Sequence, residues 1–419
     1  MNVSFADALK VWTRIGCLSF GGPAGQIALM HREIVEQRSW LSEKEYLAAL
    51  NFCMLLPGPE AMQLATYAGW KLHGTRGGLA AGLLFVLPGA LVVLVLSLLY
   101  GSFGNLPWIA AIFYGVKAAV LAIVIEALLR VARRALKSNA DWLIAALAFL
   151  ALFAFGLPFP LIILAAAIFG FLRRGGNAEA SHAAFPSLAK LGKTVTLWSA
   201  IWLVPLALLA LGLGPHHVLT EIGVFFSKLA VVTFGGAYAV LSYMAQAAVE
   251  QKGWLAPKEM IDGLALAETT PGPLILVTQF VGYLAALRQM GGIWGGIAGA
   301  IVTLWMTFAP CFLWIFAGAP YIEHIGRHPR LSGALAAITA AVVGVILNLS
   351  LWFGLHVLFA KVERLDGWFK PWLPEWPTID MPALLLSLIA ALALLRFHLG
   401  IPKTLILCGA LGLVWKIAF

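Results

Sequence analysis

Charge is what this chain has least of. Only 11% of its 419 residues are Asp, Glu, Lys or Arg, while 61% are apolar; an ordinary soluble domain carries about 25% charged residues. So little charge cannot cover a water-exposed surface, which excludes a soluble enzyme or scaffold and points to an integral membrane protein. Cysteine is scarce too. Cys17, Cys53, Cys311 and Cys408 are scattered through apolar segments without C-x-x-C or C-x-x-H spacing, so neither a metal site nor a disulfide framework is indicated and buried thiols are expected. Phosphate-binding loops and Ser/His/Asp groupings are missing, which argues against an ATP-driven pump and a membrane enzyme and leaves no cofactor to expect. Residues 1–16 lack a basic stretch followed by a small-residue cleavage site, so no removable signal peptide is read.

The apolar runs that are present are about 17–25 residues long, the length of a helix crossing the hydrocarbon core, rather than the alternating ten-residue segments of an outer-membrane barrel. The expected fold class is therefore an all-α polytopic membrane protein. Lys and Arg outnumber Asp and Glu 28 to 19; in a membrane protein such an excess reflects cytoplasmic loops rather than nucleic-acid binding.

Residues 20–59 return as residues 234–273 at a constant offset of 214, with 15 of 40 positions identical and no gap. The matches include Phe20-Gly21-Gly22 with Phe234-Gly235-Gly236, Trp40-Leu41 with Trp254-Leu255, and Pro57-Gly58-Pro59 with Pro271-Gly272-Pro273. Six of the identities fall in the charged block 36–45, where apolar bias cannot generate them. The chain is an internal duplication.

Taken in order, residues 5–35 form a span interrupted by Phe20-Gly21-Gly22-Pro23, and 46–71 one broken by Pro57-Gly58-Pro59. Clean spans are expected at 77–100, 108–130, 141–155 and 157–171. Residues 1–174 then make an N-terminal repeat, 175–193 a cytoplasmic linker, 194–213 a connecting transmembrane helix, and 214–419 a C-terminal repeat. Spans at 221–249 and 258–287 carry the same two breaks, and others follow at 291–317, 331–356, 381–396 and 404–418. Six segments, one, and six give thirteen, so the second repeat is expected to lie inverted relative to the first. With the N-terminus in the cytoplasm, the basic clusters at 71–76, 130–137, 173–193, 324–330 and 396–403 all fall inside and the C-terminus outside, as the positive-inside rule requires. The exception is the Trp-rich stretch 361–370, expected to lie flat at the interface.

Inverted repeats with paired broken helices mark a secondary transporter whose site lies where the breaks meet. Broken helix ends offer unpaired N–H groups to an anion, and Gly21, Gly22, Gly235 and Gly236 leave the backbone accessible there, although glycine pairs also serve close helix packing. Lys228 stands 214 residues after Arg14, six residues before the Phe-Gly-Gly turn in each half. Two such cations suit a doubly negative substrate; the alternative is that both snorkel to the headgroups. Ser19, Phe20, Thr233, Pro57, Gly58, Gln63, Thr269, Thr270, Pro271 and Gly272 complete the candidate substrate site. Glu60 follows the first Pro-Gly-Pro and Glu268 precedes the second, as candidates either for proton coupling or for neutralising Arg14 or Lys228. Lys117 is a further candidate; Glu126, nine residues on, faces the other side of its helix. No metal ligand set is found. The glycine series at 77–82 and 291–299 reads as close helix packing.

Phe20-Gly21-Gly22-Pro23, Glu36-x3-Trp40-Leu41, Leu56-Pro57-Gly58-Pro59 and Gly74-x-x-Gly77-Gly78 through Leu87-Pro88-Gly89 together resemble the chromate ion transporter family over nearly the whole chain. The resemblance implies a duplicated long-chain carrier that exports chromate from the cytoplasm and confers chromate resistance, with Arg14, 20–23 and 57–59 at the family's motif positions. The expected function is thus proton-motive-force-driven chromate efflux by alternating access, with chromate or a similar dianion, protons and the lipid bilayer as partners, nucleic acid as none, and a homodimer as a possible assembly. The alternatives are an anion channel, or a carrier for sulfate or another oxyanion.

Overall fold

The structure, a computed structural model, describes residues 3–20, 22–104, 106–173, 187–234, 237–322, 329–365 and 367–418. Helices dominate it. In chain order they are α1 (Phe5–Leu18), α2 (Gly22–His31, running into a π turn Arg32–Glu36), α3 (Glu43–Cys53), α4 (Glu60–Phe103), α5 (Pro107–Ala135), α6 (Asn139–Phe153), α7 (Phe159–Arg173) and α8 (Leu188–Leu213). Then come α9 (Val218–Val232), α10 (Ala237–Gln246, with a π turn Ala247–Gln251), α11 (Pro257–Thr269), α12 (Val277–Met290, entered through a 3-10 turn Leu274–Leu276), α13 (Gly292–Gly318) and α14 (Pro329–Leu358). The last two are α15 (Met381–Ala391, ending in a π turn Leu392–Arg396) and α16 (Ile401–Ala418).

Local chemistry accounts for the starts. Ser4 caps α1 by accepting from the Asp7 N–H. Ser42 with Glu45, and Ser138 with Asp141, form complete capping boxes at α3 and α6, each satisfying two backbone donors that a helix start leaves orphaned. Six helices among the described residues are long and apolar enough to cross a membrane, and four apolar helices are shorter. Their outward faces are apolar rather than polar: Leu83, Leu87, Leu91, Val95 and Leu99, four apart along α4, are all exposed. A stripe of that kind is stable facing lipid and not water.

Two segments differ from the expected single interrupted spans. Residues 5–36 and 43–73 are each a pair of short helices. At 1.5 Å per residue the 14 residues of α1 reach about 21 Å, short of a hydrocarbon core of about 30 Å. The helix after Pro-Gly-Pro breaks two residues beyond Lys71, inside the expected connector 71–76. The break falls at His73 and Gly74 (φ +62°), and the helix folds back on itself. Here the glycine series does what its spacing indicates: a Cβ on Gly69 would collide with the Gly77 carbonyl, and one on Gly77 with the Gly69 carbonyl. α12 and α13 repeat the hairpin around Gly291 and Gly292, with Gly299 against the Gly282 carbonyl.

The connecting helix begins at Leu188, six residues earlier than expected; Lys190 and Lys193 continue the helix, which straight-chain residues do at little cost. The linker proper, 174–186, lies outside the described residues. The stretch 361–370 is not a plain loop: Val362–Arg364 pairs antiparallel with Trp372–Pro374.

The chain divides into two compact units that do not follow the repeat boundaries. The first comprises Met1–Ser97, Arg174–Val240 and Thr270–Ser332, the second Leu98–Arg173, Leu241–Thr269 and Gly333–Phe419. Each therefore draws on both halves of the sequence.

Candidate functional site

The first unit holds both Phe-Gly-Gly turns and both Pro-Gly-Pro loops. α1 ends at Ser19 with φ −75°, ψ 71°, and α9 ends at Thr233, 214 residues on, with φ −77°, ψ 85°. Each is the centre of an inverse γ-turn: Phe20 N–H donates to Leu18 O at 2.9 Å, and Phe234 N–H to Val232 O at 3.0 Å. The helices stop at equivalent places in the same way.

A Pro-Gly-Pro loop has a single backbone N–H, that of its glycine. Gly58 N–H donates to Thr233 O at 2.8 Å, and Gly272 N–H donates to Ser19 O at 2.8 Å. The bonds run crosswise, each loop closing on the turn of the other half. Both glycines take positive φ, +117° and +90°, a conformation in which a side chain is strained. They are also tightly enclosed. A Cβ on Gly58 would lie 2.9 Å from Cys311 Sγ, and one on Gly272 would lie 3.3 Å from Gly89 Cα. Cys311 and Gly89 correspond in turn, each following the proline inside its hairpin helix, Pro310 and Pro88.

The side chains around this crossing are not symmetric. Gln26, buried, donates Nε2 to Gly272 O at 2.6 Å, whereas position 240 in the other half is Val240. Gln63, also buried, donates to Pro57 O at 2.7 Å. Thr233 spends its hydroxyl on Leu229 O at 2.6 Å, while the Ser19 hydroxyl, Gln26 Oε1 and Gln63 Oε1 are buried without a hydrogen-bond partner. Gln26 also borders a small cleft with room for about one water, lined in part by Pro23, Pro59, Glu60, Pro273 and Leu274. Three helical segments begin at it: α2 at Gly22, α4 at Glu60 and the turn Leu274–Leu276. Helix starts carry unpaired N–H groups and a positive dipole end, so this cleft favours negative charge.

The remaining candidates fall as follows. Phe20 is exposed at 44%. Pro57 and Pro271 are half-buried, Gly58, Gly272 and Thr270 buried, Gly22 half-buried. Glu60 and Glu268 are half-buried and each has interactions of its own. Gly21, Gly235 and Gly236 lie outside the described residues, as does the side chain of Thr269. Arg14 Nε lies 3.7 Å from Oε1 of the fully buried Glu33, which also binds Arg38 Nη1 at 2.6 Å. Lys228 is exposed. Lys117 belongs to the second unit, where its Nζ lies 3.1 Å from Asp262 Oδ1. Glu126, facing away as its spacing requires, binds Arg130 at 2.5 Å. Three of the cysteines are buried and Cys17 is exposed.

Sequence reasoning overlooked Glu33, Gln26 and Asp262. Pairing within one helix could offer Lys117 only Glu126, because the true partner lies 145 positions away on α11. Matching isolated charges between apolar segments would have found it: an Asp inside the span 258–287 needs a cation.

Paired helix breaks, cross-bonded between two copies of one sequence pattern and set among long apolar helices, define a polytopic all-α membrane protein built by duplication. The family model described as Chromate transporter matches residues 6–171 and again 220–413. The chain belongs to that family, in its duplicated long-chain form. It is similar to the chromate transport protein of Cupriavidus metallidurans, 31% identical over 96% of this chain and 90% of the relative. It is likewise similar to that of Pseudomonas aeruginosa, 33% identical over 82% and 80%, and to a probable chromate transport protein of Synechococcus elongatus, 29% identical over 96% and 93%. No solved structure matches it.

Proposed function

We propose that this protein exports chromate from the cytoplasm across the bacterial inner membrane, driven by the proton motive force, through alternating access between its two halves. The observation that carries the reading is the crosswise bonding of Gly58 to Thr233 and Gly272 to Ser19, which ties both halves together at a cleft where helices begin. An element from each half thus borders the same small space, the arrangement alternating access needs. The chromate transport relatives support the choice of substrate.

The helix starts attract the dianion, Ser19 offers a buried hydroxyl donor, and Arg14 and Lys228 raise the local positive potential near the two turns. Glu60 is the charged residue among those lining the cleft. Its protonation removes a negative charge from the anion's surroundings, so anion occupancy and proton occupancy are linked; Glu268 stands beside the second loop. Membrane potential alone favours export, since one charge moved through 100 mV is worth about 2.3 kcal/mol and a dianion about twice that. Dipoles and hydroxyls recognise charge and tetrahedral shape rather than chromium, so sulfate is expected to compete.

The test is labelled-chromate uptake into everted vesicles under an imposed proton gradient, with a protonophore and excess sulfate in parallel arms. Saturable uptake that collapses with the protonophore is expected. Uptake that rises without saturation would replace the carrier with a channel, and no uptake would remove chromate as the substrate.

A further inference from the structure

The second unit contains an ion pair that the cleft does not use. Lys117 Nζ on α5 lies 3.1 Å from Asp262 Oδ1 on α11, with side-chain exposures of 11% and 2%. The half-buried Tyr100, near the end of α4, donates its hydroxyl to Asp262 Oδ2 at 2.6 Å. Among the described residues, Lys258 and Glu259, one turn earlier on α11, are the other charged groups within electrostatic reach. Glu259 is engaged at the helix start, accepting from Ala256 N–H at 2.8 Å.

Packing does not explain the pair. Taking two charges out of water costs several kcal/mol each, and apolar side chains of the same volume often serve stability as well or better. The chain supplies its own comparison. The offset of 214 places Ala48 opposite Asp262, and the offset of 222 that aligns Pro107 with Pro329 places Thr339 opposite Lys117. The other half builds the corresponding helices without either charge. An ionisable pair kept nearly buried, against its cost and absent from its counterpart, has the character of a functional group.

We infer that Asp262 is a proton-carrying site of the transport cycle, positioned by Lys117 and Tyr100. The inference rests on the proton-coupled reading above. In one state the carboxylate holds the Lys117 ammonium and the Tyr100 hydroxyl. When a proton enters, it binds Asp262 and forms the neutral acid; Lys117 keeps its own proton and loses its counter-charge, so the tie between α5 and α11 is released. Loss of the proton from Asp262 restores the pair. Protonation thereby becomes a change in how two helices are held, which is what coupling to alternating access requires.

In everted vesicles, Asp262→Asn is expected to lose gradient-driven chromate accumulation while chromate–chromate exchange, which needs no net proton movement, continues. Because Asp262→Asn leaves a buried lysine unpaired, the decisive protein is the double variant Asp262→Leu/Lys117→Met, which removes both charges. A pair kept only for folding predicts wild-type accumulation in the double variant, and that result would overturn the proposal; a proton site predicts that accumulation stays lost. Tyr100→Phe keeps the ring, removes the donor and is expected to move the midpoint of the pH profile of accumulation; an unmoved midpoint takes Tyr100 out of the site. If the unaltered protein accumulates no chromate, the chromate reading fails instead. Proton uptake by the purified protein after a pH step then decides, with a smaller count in Asp262→Asn expected and an equal count contradicting the assignment.

Discussion

At the level of single residues, Gly58 and Gly272 are the positions the site tolerates least change at, for two separate reasons. Their φ values of +117° and +90° disfavour any Cβ, and the space is already taken, by Gln63 Nε2 at 2.8 Å and Cys311 Sγ at 2.9 Å for Gly58, and by Leu276 Cδ1 at 2.9 Å for Gly272. Gly58→Ala and Gly272→Ala are each expected to cost about 1–3 kcal/mol of backbone strain, read as a lower unfolding midpoint in detergent, and to reduce chromate uptake. Gly192→Ala is the control: that glycine sits in α8 with open space where its Cβ would go, and the helix is expected to gain about 1 kcal/mol or less. Equal effects at all three positions would contradict the special role of the loops. The Pro-Gly-Pro motif was legible as a break in the sequence because two prolines cannot continue a helix. The residue that accepts the one remaining N–H was not, since Thr233 lies 175 positions from Gly58.

Among the elements, α3 shows how its polar connector sets a helix start. Glu45 accepts from the Ser42 N–H at 3.0 Å and the Ser42 hydroxyl at 2.8 Å, and Lys71 Nζ lies 3.6 Å away. These bonds, that from the Ser42 backbone foremost, hold the Glu45 carboxyl below its ordinary value of 4.5. A carboxylate lowered in the folded state contributes stability that is present above 4.5 and lost as pH falls through the folded value. Glu45→Gln is therefore expected to lower stability by about 0.5–1 kcal/mol at pH 7, with the difference from wild type vanishing in acid; thermal unfolding of both proteins across pH 3–7 checks it, roughly the range over which carboxylates titrate. A difference that persists unchanged at the acid end would show that the capping carboxylate is not its source. Caps, spans and breaks of this kind are readable locally. The reversal between 71 and 77 was readable in the same way, but the partner of Gly77 was not, because Gly69 shows its role only when the two helix faces meet.

For the whole molecule, the two-cation reading remains the broadest claim about the substrate. Arg14→Gln and Lys228→Gln are each expected to raise the chromate concentration for half-maximal uptake and to flatten its dependence on salt, with the double variant weaker than either. Arg14→Gln should leave the fold intact, because Glu33 keeps its 2.6 Å bond to Arg38. Unchanged uptake and unchanged salt dependence in both variants would sink the reading, and would leave Arg14 as a surface partner of Glu33.

From sequence alone came the membrane class, the duplication, the helix breaks at the two Phe-Gly-Gly and two Pro-Gly-Pro motifs, and the resemblance to chromate transporters. These follow from composition, from identity at a fixed offset and from the backbone chemistry of glycine and proline, none of which requires knowing what lies across the fold. Tertiary structure alone decided the partners. Gly58 closes on Thr233 and Gly272 on Ser19, Arg14 goes to Glu33, and Lys117 goes to Asp262. A buried donor or charge must be satisfied wherever packing brings an acceptor or counter-charge within reach, and that place is set by how the helices pack rather than by their order along the chain.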